Sequence, residues 1–316
     1  MVPSLSGFVP IRISPRQGGV RVGWCWLGDG RLDEPFFVQT VERLLCDPFN
    51  LVFAPETDGG PLEALADPGT VPSGLVLHTS RCGSTLVARM LAAREDHRIL
   101  SEPEPLEGVL RLPGTFAAAD RRRAWLRGLA SAWAPARGGR LFVKLDAIST
   151  LSLPELRQVF PGVPRVFLYR DAVEVLASNL EEGSLRDGNL SLAARCGTHV
   201  GGGDADFAAR VLARILEASV ADSREGGTLL VRYDELPGAF VTRIAPHLGV
   251  VLSPEDEAAA RRVSQEDAKA PGRPFRTAAA RSVVAPEVRA AAERHLRQLF
   301  SELEAARARQ LARGFA

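Results

Sequence analysis

Three stretches of this 316-residue sequence combine residue types and spacings suited to handling a phosphorylated ligand. In GLVLHTSRCGSTLVARMLAA, Gly74 to Ala93, an apolar strand stops at His78. A polar turn containing Gly83 follows, and a helix opens at Ser84-Thr85 with Leu86, Met90 and Leu91 turned inward. A strand–turn–helix of this kind aims backbone N–H groups and the positive end of a helix dipole at one spot, an anion site of phosphate size. Arg81 adds a full charge; Ser84 and Thr85 add hydroxyl donors. The loop is not the GxxxxGK[ST] pattern of ATP and GTP users, because Ser84 stands where the lysine would be. In RVFLYRDAVEVLASNL, Arg165 to Leu180, a strand ends in Arg170-Asp171 and the helix after it carries Ser178 eight residues beyond Arg170. A guanidinium fork plus a hydroxyl suits a phosphate monoester of about two charges; a surface ion pair is the plainer reading of Arg170-Asp171. In RILSEPEPLE, Arg98 to Glu107, Glu102 ends a strand-like run one helix beyond the first loop, with Glu104 two residues on. If that segment is extended, both carboxylates share a face.

An [R/K]-x-G-[ST]-T loop after a strand, joined to a strand-Arg-Asp-helix-Ser segment, resembles the sulfotransferase family that uses 3′-phosphoadenosine 5′-phosphosulfate (PAPS). The motif style is similar to that of the tyrosylprotein and related bacterial sulfotransferases. The resemblance covers about residues 74 to 250 and implies a P-loop-like α/β fold. It also implies that Arg81, Cys82, Gly83, Ser84 and Thr85 hold the 5′-phosphosulfate, and that Arg170 and Ser178 hold the 3′-phosphate. Glu102, twenty-one residues after Arg81, stands where those relatives place a glutamate base. RLFVKLDAISTLSLPELRQVFPGVP, Arg140 to Pro164, is similar to the family's strand-K-[ST]-P…LxxxFP segment, with Leu145-Asp146 replacing the commoner Ser/Thr-Pro. LLVRYDEL, Leu229 to Leu236, resembles its Tyr-Glu-Asp-Leu strand ending.

Sulfuryl transfer needs an acceptor hydroxyl or amine that loses a proton as it attacks sulfur, and a cation where charge grows on the leaving oxygen. On this resemblance Glu102 is the general base, with Glu104 and His97 in reserve. Lys144 and Arg81 stabilise the leaving group, as cationic clamps do in phosphoryl transfer. No metal is expected, since arginine and lysine supply the charge. The basic loop DAKAPGRPFR, Asp267 to Arg276, falls where this family closes over the nucleotide, which makes Lys269, Arg273 and Arg276 candidate phosphate contacts. A nucleotide-dependent kinase with Arg81 replacing the P-loop lysine, or a non-catalytic nucleotide-binding protein, are the competing readings.

Positioning these residues requires a parallel sheet. Strand candidates at Gly74–Thr79, Arg98–Ser101, Leu141–Leu145, Val166–Tyr169 and Thr228–Val231 alternate with helical stretches, the pattern of a three-layer α/β fold with a mainly parallel sheet. The strands are continuously apolar, as burial on both faces demands. A last helix is expected from about Pro286 to Arg313. Residues 1–70 read differently: a β-like run at Val20–Trp26, a helix over Glu34–Leu45, and a Pro/Gly/Asp-rich linker or surface loop from Pro55 to Pro72. They are expected to form an N-terminal subdomain or lid beside a 71–316 α/β domain.

The bulk composition limits the classes available. With 46% hydrophobic and 24% charged residues the chain is an ordinary globular sequence, and Lys plus Arg at 39 against Asp plus Glu at 38 leaves a net charge of +1. No bulk field draws it to nucleic acid or to an anionic membrane. Cysteines at 25, 46, 82 and 196 have neither zinc nor disulfide-scaffold spacing, and no signal-like or membrane-length apolar run is present. A reduced, cytoplasmic protein acting on a small-molecule or natural-product acceptor is expected; oligomeric state and acceptor are not readable. Cys82 sits in an electropositive loop but has no base beside it. CGTHVGGGDAD, Cys196 to Asp206, is either a mobile lid carrying His199 or a surface loop, and Arg121-Arg122-Arg123 reads as a solvated helix face.

Overall fold

The computed structural model describes residues 5–28, 30, 32, 34–135, 138–183, 185–268, 272–273 and 284–314. The chain divides into two compact units: residues 1–75, 91–145 and 155–163 form the first, and residues 76–90, 146–154 and 164–316 the second.

In the first unit, β1 (Phe8–Arg16) and β2 (Gly19–Trp26) form an antiparallel hairpin, to which β3 (Glu56–Asp58) adds on the β2 side. Only β2 is anticipated from the sequence. Pro10 and Pro15 disguise β1, but it is an edge strand, where a missing N–H costs no ladder bond, and its register shifts between Pro10 and Arg12. The hairpin turns at Gly18, whose φ of 79° needs a residue without a Cβ.

The stretch expected as a linker from Pro55 to Pro72 is instead built into this unit. It contains β3 and a helix at Gly60–Leu65 whose Leu62 is fully buried against the helix Ala119–Trp133. Two glycines permit the approach: a Cβ on Gly128 would run into the backbone of Leu62, and one on Gly59 would lie 2.5 Å from Nε1 of Trp125. The indole N–H groups of the helix Ala119–Trp133 are satisfied by two neighbours, the helix Gly60–Leu65 and β1. Trp125 donates to Glu63 at 2.8 Å, and Trp133 donates to the carbonyl of Pro10 at 3.2 Å. Gly59, one of the residues that suggest a loop, is here a means of close packing.

The alternating strands and helices form a five-stranded sheet flanked by helices, the three-layer α/β class. Its strands are β4 (Gly74–His78), β5 (His97–Ser101), β6 (Arg140–Lys144), β7 (Arg165–Tyr169) and β8 (Thr228–Arg232), in the order β5-β6-β4-β7-β8. β5 pairs parallel with β6, and β7 parallel with β8. Every residue of β4 and β7 is buried, as expected for strands covered on both faces. In the second unit the helices Asp204–Glu225 and Arg297–Ala312 pack on β8. The expected helix from Pro286 to Arg313 is broken into Pro286–His295 and Arg297–Ala312. At the break Leu296 turns into the core while His295 Nε2 donates to the Asp206 carboxylate at 2.9 Å. Among the described residues no helix is long and apolar enough to cross a membrane.

Candidate active site

In the second unit the chain leaves β4 through Thr79–Gly83 and enters the helix Ser84–Ala92. Ser80, Arg81 and Gly83 all have left-handed backbone angles, with φ of 71°, 54° and 84°. Two such non-glycine residues in succession hold strain that only a surrounding structure can maintain, a pattern concentrated at ligand sites. Part of that support is visible. The Ser80 N–H donates to Nδ1 of His78 at 2.9 Å, and the Thr79 N–H to the carbonyl of Leu168 at 3.1 Å. Gly83 is wedged against the segment after β8: a Cβ there would lie 2.7 Å from Leu236 and 3.1 Å from the Tyr233 ring. Ser84 and Thr85 are buried at the helix start.

Arg81 and Ser178, assigned above to opposite ends of the nucleotide, touch one another. Arg81 Nε donates to Ser178 Oγ at 3.0 Å, and its Nη1 pairs at 2.5 Å with Glu182, one turn further along the helix Ala172–Glu182. Arg170 follows directly after β7, pairs with Glu174, and lies 4.7 Å over the Tyr233 ring. Asp171 does not pair with Arg170 as the plainer reading has it. It caps the helix, accepting from the N–H groups of Val173 and Glu174 at 3.0 and 3.1 Å. The Cys82 side chain is fully buried and donates to the carbonyl of Leu168 at 3.1 Å, so only its backbone can meet a ligand.

In the first unit Glu102 and Lys144 form an ion pair. The Glu102 N–H donates to the carbonyl of Lys144 at 2.7 Å, carrying the β5–β6 pairing one step past the strand ends, and a φ of 55° then turns the carboxylate back onto the ammonium. Lys144 is 1% exposed, with its Nζ 5.2 Å above the Phe36 ring, while a third of the Glu102 side chain remains open to solvent. A buried cation beside a half-open carboxylate can hold developing negative charge and accept a proton from outside. The segment is not extended as expected: the chain bends at Glu102 and a helix begins at Glu104. Glu104 faces β1, accepts from the Ile13 N–H at 3.2 Å, and has its carboxyl pushed up by burial. His97 opens β5, at the amino end of the strand that Glu102 follows. It is buried against Phe142, with Nδ1 2.8 Å from the Leu91 carbonyl, and burial pushes its pKa down. Both reserve bases are thereby structural in their contacts.

No family model and no curated protein matches the sequence. Solved structures do. A sulfotransferase from Alicyclobacillus acidocaldarius aligns with 75% of this chain and 96% of its own at 14% identity and a TM-score of 0.46. Sulfotransferase STF9 from Mycobacterium avium aligns with 81% of this chain and 82% of its own at 15% identity and 0.47. Mouse sulfotransferase SULT7A1 complexed with PAP aligns with 96% and 99% at 14% identity and 0.39. These similar structures are all sulfotransferases. At such identities and scores, any functional conclusion has to come from this chain's own residues.

The remaining candidates separate clearly. The glycine-rich stretch after Cys196 is tied to its neighbours by hydrogen bonds. The N–H groups of Gly201 and Gly203 donate to the Asp187 carboxylate at 2.6 and 3.0 Å, which with Gly188 holds that carboxyl below its usual range. Arg210 donates to the carbonyls of His199 and Gly201 at 3.1 and 2.6 Å. Arg122, expected on a solvated face, is buried and bidentate to Glu155 at 3.1 and 2.9 Å. In the basic loop Arg273 accepts the Asp267 N–H through its carbonyl at 2.7 Å, while Arg89 binds Glu266 at 2.8 Å; Lys269 and Arg276 lie outside the described residues. Glu182 and Tyr233 escape the sequence reading as site residues. Glu182 lies four residues after Ser178, one helical turn, which is the signal that could have exposed it.

Proposed function

We propose that the chain moves a sulfuryl group from PAPS to a hydroxyl or amine of a small-molecule acceptor. The observation that carries this is the meeting of the strained, helix-capping loop with Arg81 and Ser178, beside Arg170, in one unit. A loop that offers backbone N–H groups needs one anionic group. Two arginines and a hydroxyl added to it suit a ligand with a second phosphate set apart from the first, a monoester on the ribose, which a nucleoside triphosphate lacks. Ser84, Thr85 and the backbone of Cys82 and Gly83 take the phosphosulfate end; Arg170 and Ser178 take the 3′-phosphate, and Arg81, which touches Ser178, serves both. Lys144 supplies the cation for the leaving oxygen and Glu102 the base. In the reaction a new bond forms between the acceptor oxygen or nitrogen and sulfur. The sulfur–oxygen bond to the nucleotide breaks with its electron pair, and the acceptor proton passes to Glu102. Residues 71–316 form the transferase part of this reading, and residues 1–70 an accessory subdomain.

Thermal stability with 3′,5′-adenosine bisphosphate, AMP, ATP-Mg and GTP-Mg tests the proposal. The bisphosphate should stabilise most, by about 2.7 kcal/mol at a hundredfold excess over its dissociation constant. An equal or larger effect of ATP-Mg would instead make the protein a kinase or an ATP-binding protein.

A further inference from the structure

Between the helices Phe37–Leu45 and Pro48–Val52 and the end of β2, the first unit carries an inversion of the usual inside–outside pattern. In the run Phe49-Asn50-Leu51-Val52-Phe53 the polar residue is the buried one. Asn50 is 2% exposed, while Leu51, Val52 and Phe53 are 69%, 77% and 57% exposed. Asn50 is held firmly. Its Oδ1 accepts the Trp26 N–H at 2.7 Å, and its Nδ2 donates to the carbonyls of Trp26 and Leu44, both at 2.9 Å. It thus pairs with the last residue of β2 as a neighbouring strand would, and Asp47 caps the short helix by accepting the Phe49 N–H at 2.8 Å. With the polar side chain pinned inward, the apolar ones must face out. Phe53 joins a ring cluster: Phe49 stacks on it at 5.0 Å and meets Trp26 at 6.0 Å and Phe8 at 6.3 Å.

Buried amides with all their bonds made are costly to arrange by chance, and scattered exposed apolar residues are ordinary; a contiguous aromatic patch held out by such an amide is not. At ~150–250 Å² per large side chain, the exposed fractions of Trp26, Phe49, Leu51, Val52 and Phe53 amount to roughly 500 Å². Two such patches together reach about 1,000 Å², the least area a specific protein interface needs and the size of a weak, reversible one. Its aromatic content matches the core of such interfaces. The charges argue against a membrane: residues 37–53 contain no lysine, and the single Arg43 is set against Glu42 and Asp47, whereas interfacial membrane helices are rich in basic residues. A net charge of +1 gives two copies little reason to repel.

We propose that this aromatic patch is a self-complementary interface through which two copies of the chain associate about a twofold axis. Sedimentation of the full chain over a concentration series reads this directly, with Phe49→Ser, Phe53→Ser and the pair compared with the unmodified protein. The unmodified protein should reach twice the monomer mass, and each variant should raise the dimer dissociation constant at least about tenfold, the weight of one interfacial aromatic anchor. Equal melting temperatures at a dilution where parent and variants are all monomeric would show that the loss lies in association. A protein that remains monomeric up to hundreds of micromolar overturns the proposal, as do variants that dimerise as well as the parent. Flotation of the parent, but not of the paired variant, with phosphatidylcholine–phosphatidylserine vesicles would overturn it in favour of a lipid surface.

Discussion

Replacing Glu102 by glutamine separates the structural and the chemical work of one carboxylate. The amide keeps the shape but withdraws the counter-charge from Lys144, whose ammonium has almost no access to water. Breaking a wholly buried pair costs about 3–5 kcal/mol, and an exposed pair contributes only about 0–1 kcal/mol. This pair has one buried member and one a third exposed, so a loss of about 1–2 kcal/mol is expected, with a fall of a few degrees in Tm. Replacing Lys144 by methionine in the same chain removes the orphaned charge and should recover most of that loss, because an apolar side chain of similar length suits the space over Phe36. Activity should not follow stability. Release of 3′,5′-adenosine bisphosphate from PAPS with a panel of phenols, alcohols and amines should fall about 10²–10⁴-fold in Glu102→Gln and stay low in the double variant. An unchanged Tm in Glu102→Gln would refute the ion pair as a stabilising contact. Full turnover in the same variant would move the base elsewhere, with His199 next to be tested.

Arg170→Ala should weaken 3′,5′-adenosine bisphosphate by about 1.5–3 kcal/mol in titration calorimetry and leave AMP nearly unaffected; equal losses for both would make its stack on Tyr233 the residue's real purpose. Gly83→Ala forces a Cβ into the left-handed region, at about 1–2 kcal/mol, and against Leu236 and Tyr233. It should fold yet lose the stabilisation by bisphosphate, and an undiminished ligand shift would show that the loop tolerates another shape. Arg294, with His295 and Arg210, pulls the Asp206 carboxyl down from its ordinary 3.8 to about 2. A depressed folded-state pKa contributes stability above about pH 4 that is lost as pH falls toward 2. Asp206→Asn should therefore be less stable than the parent at pH 6, with the gap in unfolding free energy closing by pH 2; a gap independent of pH would exclude the charge as its origin.

What the sequence disclosed depended on how local each signal is. Val166 to Tyr169 and Leu141 to Leu145 are apolar runs with turns on either side, and their strands begin and end within a residue of expectation. The strand–turn–helix around Gly83 is equally local. β1 was hidden because its prolines obey an edge-strand rule that applies only once the sheet is known. Glu102 and Lys144 lie far apart in the chain and meet because β5 and β6 pair in parallel and a non-glycine residue adopts a positive φ. No periodicity announces either condition. Arg122 illustrates the same limit: in a run of three arginines, only tertiary placement decides which one reaches Glu155.

The contact between Gly128 and Leu62 has a bearing on heredity as well as on packing. The indoles of Trp125 and Trp133 are fully buried, and both of their N–H acceptors belong to the first seventy residues. A fragment starting after residue 70 would bare both rings and leave both donors without their acceptors, so that it should aggregate when expressed alone. The same dependence constrains recombination. Any exchange of the amino-terminal segment between diverged copies would have to carry the helix Ala119–Trp133 with it, because a glycine and two tryptophans on that helix are fitted to one partner. The two pieces, separated by some fifty residues of chain, must therefore vary together.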